Sequence, residues 1–192
     1  MNSTQIETFA VNAVKDSILM SDYLAPYIND NDKEPSWDGA VYIYKDKKCT
    51  KDNLKGRLPV QVKGKVCNDL SKEEISYSMS VADLNNYLDD GGAILFVVYI
   101  GNSGLCKKIY YIELPPIKLR VELGLAKGQK TKTLKLKEFP TDNNKKASIF
   151  LNCYENCRRQ ASFSSATLLT LDELQEPVSY THLRAHETLS DL

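Results

Sequence analysis

Between Leu58 and Val66 the residues split by parity, with Leu58, Val60, Val62 and Val66 on one and Gln61, Lys63 and Lys65 on the other. Successive side chains of an extended chain point to opposite faces. A strand here therefore buries one side and sets an amide and two ammonium groups in a row on the other. Gln61 and Lys63, two residues apart, would lie roughly 7 Å from each other, within reach of one ligand. The same alternation also marks a solvated strand face. Asp38 follows Glu34-Pro35-Ser36-Trp37 and opens the β-branched and aromatic stretch Trp37 to Tyr44. If the two stretches pair as a hairpin, its carboxylate comes beside Gln61. A carboxylate, an amide or backbone carbonyl oxygen and water form a hard-oxygen set suited to Mg2+ or Mn2+. Lys63 beside such an ion would orient an attacking water or stabilise charge building on phosphoryl oxygens. The alternative for Asp38, which precedes Gly39, is a simple turn acceptor.

Glu7 is the fourth candidate. From Ile6 to Ile18 apolar residues recur at three- and four-residue spacing, predicting an amphipathic helix capped by Ser3 or Thr4. With Ile6 at zero on the helical wheel, Glu7 falls at about 100°, between Val14 at about 80° and Ile18 at about 120°. A carboxylate inside an apolar sector needs a reason. It is either a second acid reaching the site, or the closing residue of a capping box, Thr4-Gln5-Ile6-Glu7.

The elements that must position these groups follow in order. Tyr23 to Ile28 reads as a short strand, Asn29 to Glu34 as a turn, and Lys45 to Gly56 as a lysine-rich loop. Glu74 to Met79 is a further strand, and Ser80 with Asp83 caps a short helix through Leu88 that ends at Asp89-Asp90-Gly91-Gly92. The run Ala93 to Ile100 has no polar face and predicts a central strand covered on both sides. Gly101 to Gly104 turns into a strand from Lys108 to Leu114. Gly124 to Lys132 is the best candidate for a linker or domain edge, ahead of a strand from Thr133 to Phe139 and a helix from about Asn143 to Gln160. Cys153 and Cys157 sit one turn apart on the apolar side of that helix, where core packing outweighs metal binding for want of further ligands. The order predicts an α/β fold with a mixed central sheet flanked by helices.

The composition, 42% hydrophobic and 26% charged with zero formal net charge, is that of a globular chain. It gives no global attraction to nucleic acid, so such contacts would rest on local lysines: Lys45, Lys47, Lys48, Lys51 and Lys55 with Arg57, Lys63 and Lys65, and those from Lys127 to Lys137. Charge runs of this kind also form ordinary solvated surface. Five scattered cysteines argue against a secreted disulfide framework. No apolar run is long enough to span a bilayer and no signal peptide is evident, which predicts a cytoplasmic protein without a membrane partner. The stretch Pro177 to Leu192 resembles the read-through of a sequencing adapter and is set aside from the fold. It carries both histidines, His182 and His186. With them gone, no histidine-based metal site or catalytic triad is available, and the natural chain is expected to continue beyond Glu176.

The helix with Glu7, the SWDG segment with Asp38, QVKGK with Gln61 and Lys63, the helix near Val81 and the strand AILFVVYI together resemble the PD-(D/E)xK, or restriction endonuclease-like, superfamily. The likeness is greatest to its uncharacterised bacterial domains with Gln-x-Lys in place of acidic-x-Lys, a replacement also found in Mrr-like restriction enzymes. It covers about residues 1–120, with 121–176 as an incomplete C-terminal extension and 177–192 as the foreign tail. The resemblance implies a restriction endonuclease-like core and Mg2+- or Mn2+-dependent hydrolysis of nucleic acid, chiefly DNA, in bacterial DNA processing or defence. It implies that Asp38 binds the metal, Gln61 takes the second acidic position, Lys63 is the catalytic lysine and Glu7 the helix-one carboxylate. Gln61 removes one negative charge from the pattern, so a second expectation is a degenerate nuclease fold that binds nucleic acid or a partner protein without cutting. A missing C-terminal domain would then supply the activity.

Overall fold

The computed structural model describes residues 1–30 and 35–165. The foreign-looking tail, both histidines and most of the expected 29–34 turn lie outside them. Helix α1 (Ser3–Leu19) is followed by strands β1 (Leu24–Ile28), β2 (Gly39–Tyr44), β3 (Leu54–Val66) and β4 (Glu74–Ser80). Helix α2 (Val81–Asp89) leads to β5 (Ala93–Ile100) and β6 (Lys107–Leu114). The chain then runs through α3 (Pro116–Leu125), β7 (Thr131–Glu138), α4 (Asn143–Arg159) and the short α5 (Ser162–Ser165). The strands form one seven-stranded mixed sheet in the order β1-β2-β3-β5-β6-β7-β4.

The sequence dictates the centre of this sheet. Every residue of β5 is buried, as a strand without a polar face must be. It pairs parallel with β3 and antiparallel with β6. On one side, Val11, Val14 and Ile18 of α1 and Phe150 and Cys153 of α4 pack on Val41, Leu58, Val60, Val62 and Phe96. Full burial of each such side chain contributes about 1.5–3 kcal/mol. On the other, Leu84, Tyr87 and Leu88 of α2 and Leu119 of α3 pack on Leu95, Val97, Ile112 and Leu114, with Leu134 and Leu136 of β7 closing the layer.

Several sequence expectations need correction. The cap of α1 is Asn2, whose side chain accepts from Gln5 N while the Gln5 side chain returns to Asn2 N. The capping box is therefore Asn2 to Gln5, and Glu7 takes no part in it. β3 begins four residues early, at Leu54, because Lys51–Asn53 forms a 3-10 turn that feeds straight into the strand. Gly124 to Lys132 is no break in the sheet. β7 pairs along its length with β4 and, at Tyr110 and Tyr111, with β6, while Phe139 and Phe150 join the α1 core. Residues on both sides of position 120 thus share one sheet and one core. Ser80 does cap α2, accepting from Asp83 N at 3.0 Å, and Cys153 is buried in the core.

Two glycines set the frame of the candidate site. Gly39 has φ +140°, and a Cβ there would collide with the backbone of Tyr27 and Ile28, so only glycine lets β1 and β2 pair immediately after Asp38. At Gly64 a Cβ would lie 2.7 Å from Ile6 O. The missing side chain lets α1 cross β3 at close range and brings Glu7 to the end of the strand.

Candidate active site at the β2–β3 handover

β3 changes partner along its length. Leu54 to Val60 pair antiparallel with β2, and Val60 to Val66 pair parallel with β5. Beyond Val60 the edge that faced β2 loses its backbone partner, and Asp38 takes over. Its N–H donates to Val60 O at 3.1 Å, and its Oδ2 accepts from Val62 N at 2.6 Å. The carboxylate thus supplies the acceptor that one more residue of β2 would have supplied. The same Oδ2 accepts from Gln61 Nε2 at 2.5 Å. Two donors on a carboxylate fix its orientation.

Asp38, Gln61, Lys63 and Glu7, drawn from a loop, a strand and a helix, line one cleft of about 380 Å³ together with Ser3, Ile6 and Ser36. The four residues singled out in the sequence are thus brought together. They are not equivalent. Gln61 is only 3% exposed, so it is no part of a solvated face, whereas Lys63 is half-buried and Lys65 exposed with its Nζ 5.8 Å from the Tyr99 ring. The amide of Gln61 turns Nε2 to Asp38 and Oε1 to the Tyr87 hydroxyl, 3.5 Å away and at the limit of a hydrogen bond.

A second layer, not foreseen from the sequence, holds the Asp38 loop. Ser36 has φ 71°, a left-handed conformation uncommon for serine. α2 secures it: Ser36 Oγ donates to Asp83 Oδ1 at 2.8 Å and accepts from Asn86 Nδ2 at 2.7 Å. Ser80 Oγ donates to the other Asp83 oxygen at 2.8 Å. Trp37 meets Tyr87 edge to face, ring centroids 6.1 Å apart. Burial pushes the Tyr87 hydroxyl well above its ordinary value, with the carboxylates of Asp83 and Asp38 adding to the effect, so it remains a neutral donor. The Ser80–Asp83 cap was visible in the sequence. That its aspartate would use its free oxygen on a loop 47 residues away was not.

The lysines are unequal too. Lys55 is paired with Glu155 at 2.7 Å and Lys47 with Asp22 at 3.0 Å, while Lys132 and Lys108 meet Glu122 and Glu138. Among the described residues, no group of three or more His, Cys, Asp or Glu side chains gathers as a metal-ligand cluster, and no helix is long and apolar enough to cross a membrane. No family model, curated protein or solved structure matches the chain.

Proposed function

We propose that the cleft between α1 and the β2–β3 handover is a centre for metal-dependent hydrolysis of phosphodiesters in nucleic acid, with DNA as the first substrate to test. The supporting observation is the convergence of two carboxylates, a lysine and a carboxylate-fixing amide from three separate elements on one cleft. Asp38 and Glu7 are the groups to hold Mg2+ or Mn2+, ions that take one or two protein carboxylates and complete their shell with water and phosphate oxygens. Bound there, such an ion would lower the cost of charge on the phosphodiester and of deprotonating the attacking water. Lys63 orients that water or stabilises the charge that develops on the phosphoryl oxygens. Gln61 and the Val62 N–H hold Asp38 in place. With its Nε2 on Asp38, Gln61 acts as a positioning donor. It would have to turn its amide over to become a ligand.

A second reading has its own support: the Asp38 oxygen bonded to Gln61 and Val62 already completes the sheet. Under it the fold binds nucleic acid or a partner protein without cleaving. The test is incubation with single-stranded, duplex and branched DNA in Mg2+ or Mn2+, beside Asp38→Ala and Lys63→Ala. Cleavage lost in both variants supports the first reading. Cleavage that survives both removes the site assignment, and binding with no cleavage by the parent protein favours the second.

A further inference from the structure

The sheet face that carries Asp38 and Gln61 continues outward as three cross-strand rows. Asp38 stands beside Gln61; Tyr27 of β1, Ala40 of β2 and Pro59 of β3 form the next row; Ala25, Tyr42 and Arg57 form the third. Cross-strand partners share a face, and rows two residues apart lie about 7 Å from each other. α1 and α4 pack on the opposite face. On this one Tyr27 is left 62% exposed and Arg57 is also exposed. Tyr27 and Tyr42 meet edge to face, centroids 4.9 Å apart. Beside this ring pair, Gly39 and Ala40 help to line a cleft of about 440 Å³ that Trp37, Arg57 and Asp90 also border.

We infer that this face is a stacking platform for the unpaired bases of a single-stranded nucleic acid that runs into the Asp38 cleft. Exposed aromatic rings bind bases through their faces, which only unpaired bases present, and a nearby arginine answers the phosphates. The Asp90 carboxylate offers an acceptor for a base amino group. Gly39 and Ala40 leave room in the cleft for a flat base against the tyrosine pair. Adjacent residues, Asp38 and Gly39, line the two clefts, so one strand can occupy both. A proline-rich peptide could also use the aromatic rings, but Arg57 and the neighbouring phosphodiester site favour a polyanion. The inference extends the proposed function as to substrate, and its binding part can be tested separately from cleavage.

Trp37 is the only tryptophan of the chain and lines this cleft, so its fluorescence reports occupancy. The titration uses the full chain in EDTA with a thymidine homopolymer, an abasic strand of equal length and a blunt duplex. The thymidine strand is expected to quench Trp37 saturably and to bind more tightly than the other two. Tyr27→Ala and Tyr42→Leu should each weaken it by roughly 5- to 150-fold, the range for losing one stacked base. Arg57→Ala should lower the salt slope by about one phosphate. Tyr27 is exposed enough that its variant keeps the parent's circular dichroism. Equal affinity for the abasic strand or the duplex, saturable quenching only by a proline-rich peptide, or unchanged affinity in both tyrosine variants overturns the inference. Quenching by the thymidine strand without cleavage of any DNA in Mn2+ leaves the platform standing and removes the nuclease reading. Duplex cleavage that both tyrosine variants retain in full, with no thymidine binding, does the reverse.

Discussion

The two halves of β3 solve the same problem in different ways. From Leu54 to Val60 the strand meets β2 by backbone pairing, with one register shift at Ile43–Tyr44, and its periphery is structural: the Tyr154 hydroxyl donates to Lys55 O at 2.9 Å and Lys55 pairs with Glu155. From Gln61 onward that edge has no β2 beside it, and a carboxylate, a crossing helix and a second layer from α2 take its place. Polar side chains gather where the backbone stops satisfying itself, and such a place can also hold a ligand. At Asp38 the proposed chemistry would share a carboxylate with sheet completion.

Breaking the second half should cost most. Asp38→Ala removes the acceptor of both Val62 N–H and Gln61, so loss of cleavage is expected together with about 1–3 kcal/mol of stability, read by thermal or denaturant unfolding. Loss of cleavage at unchanged stability would mean the sheet does not need the carboxylate. Gln61→Glu restores the acidic pattern but sets two carboxylates together. Without metal at neutral pH it should destabilise by about 1–2 kcal/mol, because like charges in contact raise a carboxyl pKa. A raised folded-state value stabilises at low pH and is lost as pH rises, so the variant should regain stability towards acid, or on adding Mn2+. A variant as stable as the parent throughout would show that Gln61 is not held against Asp38.

Asp83→Ala removes an acceptor from both Ser36 and Ser80. About 1 kcal/mol of stability should go, with a drop in cleavage rate larger than any rise in KM if α2 only positions the Asp38 loop. Tyr87→Phe probes alkaline pH. Burial holds the phenols of Tyr87, Tyr110 and Tyr111 un-ionised, so their stabilisation is complete below pH of about 10 and lost above it. The variant should unfold at a higher pH than the parent in an alkaline titration followed by circular dichroism. In the first half, Tyr154→Phe removes a single hydrogen bond, costing about 0.5–1.5 kcal/mol with no change in cleavage. An activity loss there would blur the contrast between the halves.

What the sequence disclosed follows the same division. The parity of β3, the all-apolar β5 and the spacing of α1 are periodic signals that tertiary packing repeats. Gln61, Lys63 and Asp38 were legible because a hairpin brings near neighbours together. The true cap at Asn2 was missed because Thr4 and Glu7 offer the same pattern two residues later, and local spacing alone does not rank the two. The Ser36–Asp83 bond was illegible because it depends on where α2 lands after a crossover. The continuation of the sheet past residue 120 was hidden because glycines and lysines make a turn look like a linker.

The handover in β3 also bears on how the chain reaches this state. β2 and β3 can zip early as a local hairpin, but Gln61 to Val66 must wait for β5, from which β4 and α2 separate them in the chain. Until then those residues form an open strand edge, with the backbone groups destined for β5 available to any other chain. Lysines on an exposed edge discourage such pairing. Lys63 and Lys65, placed on that edge, would by their charge disfavour such pairing before β5 arrives.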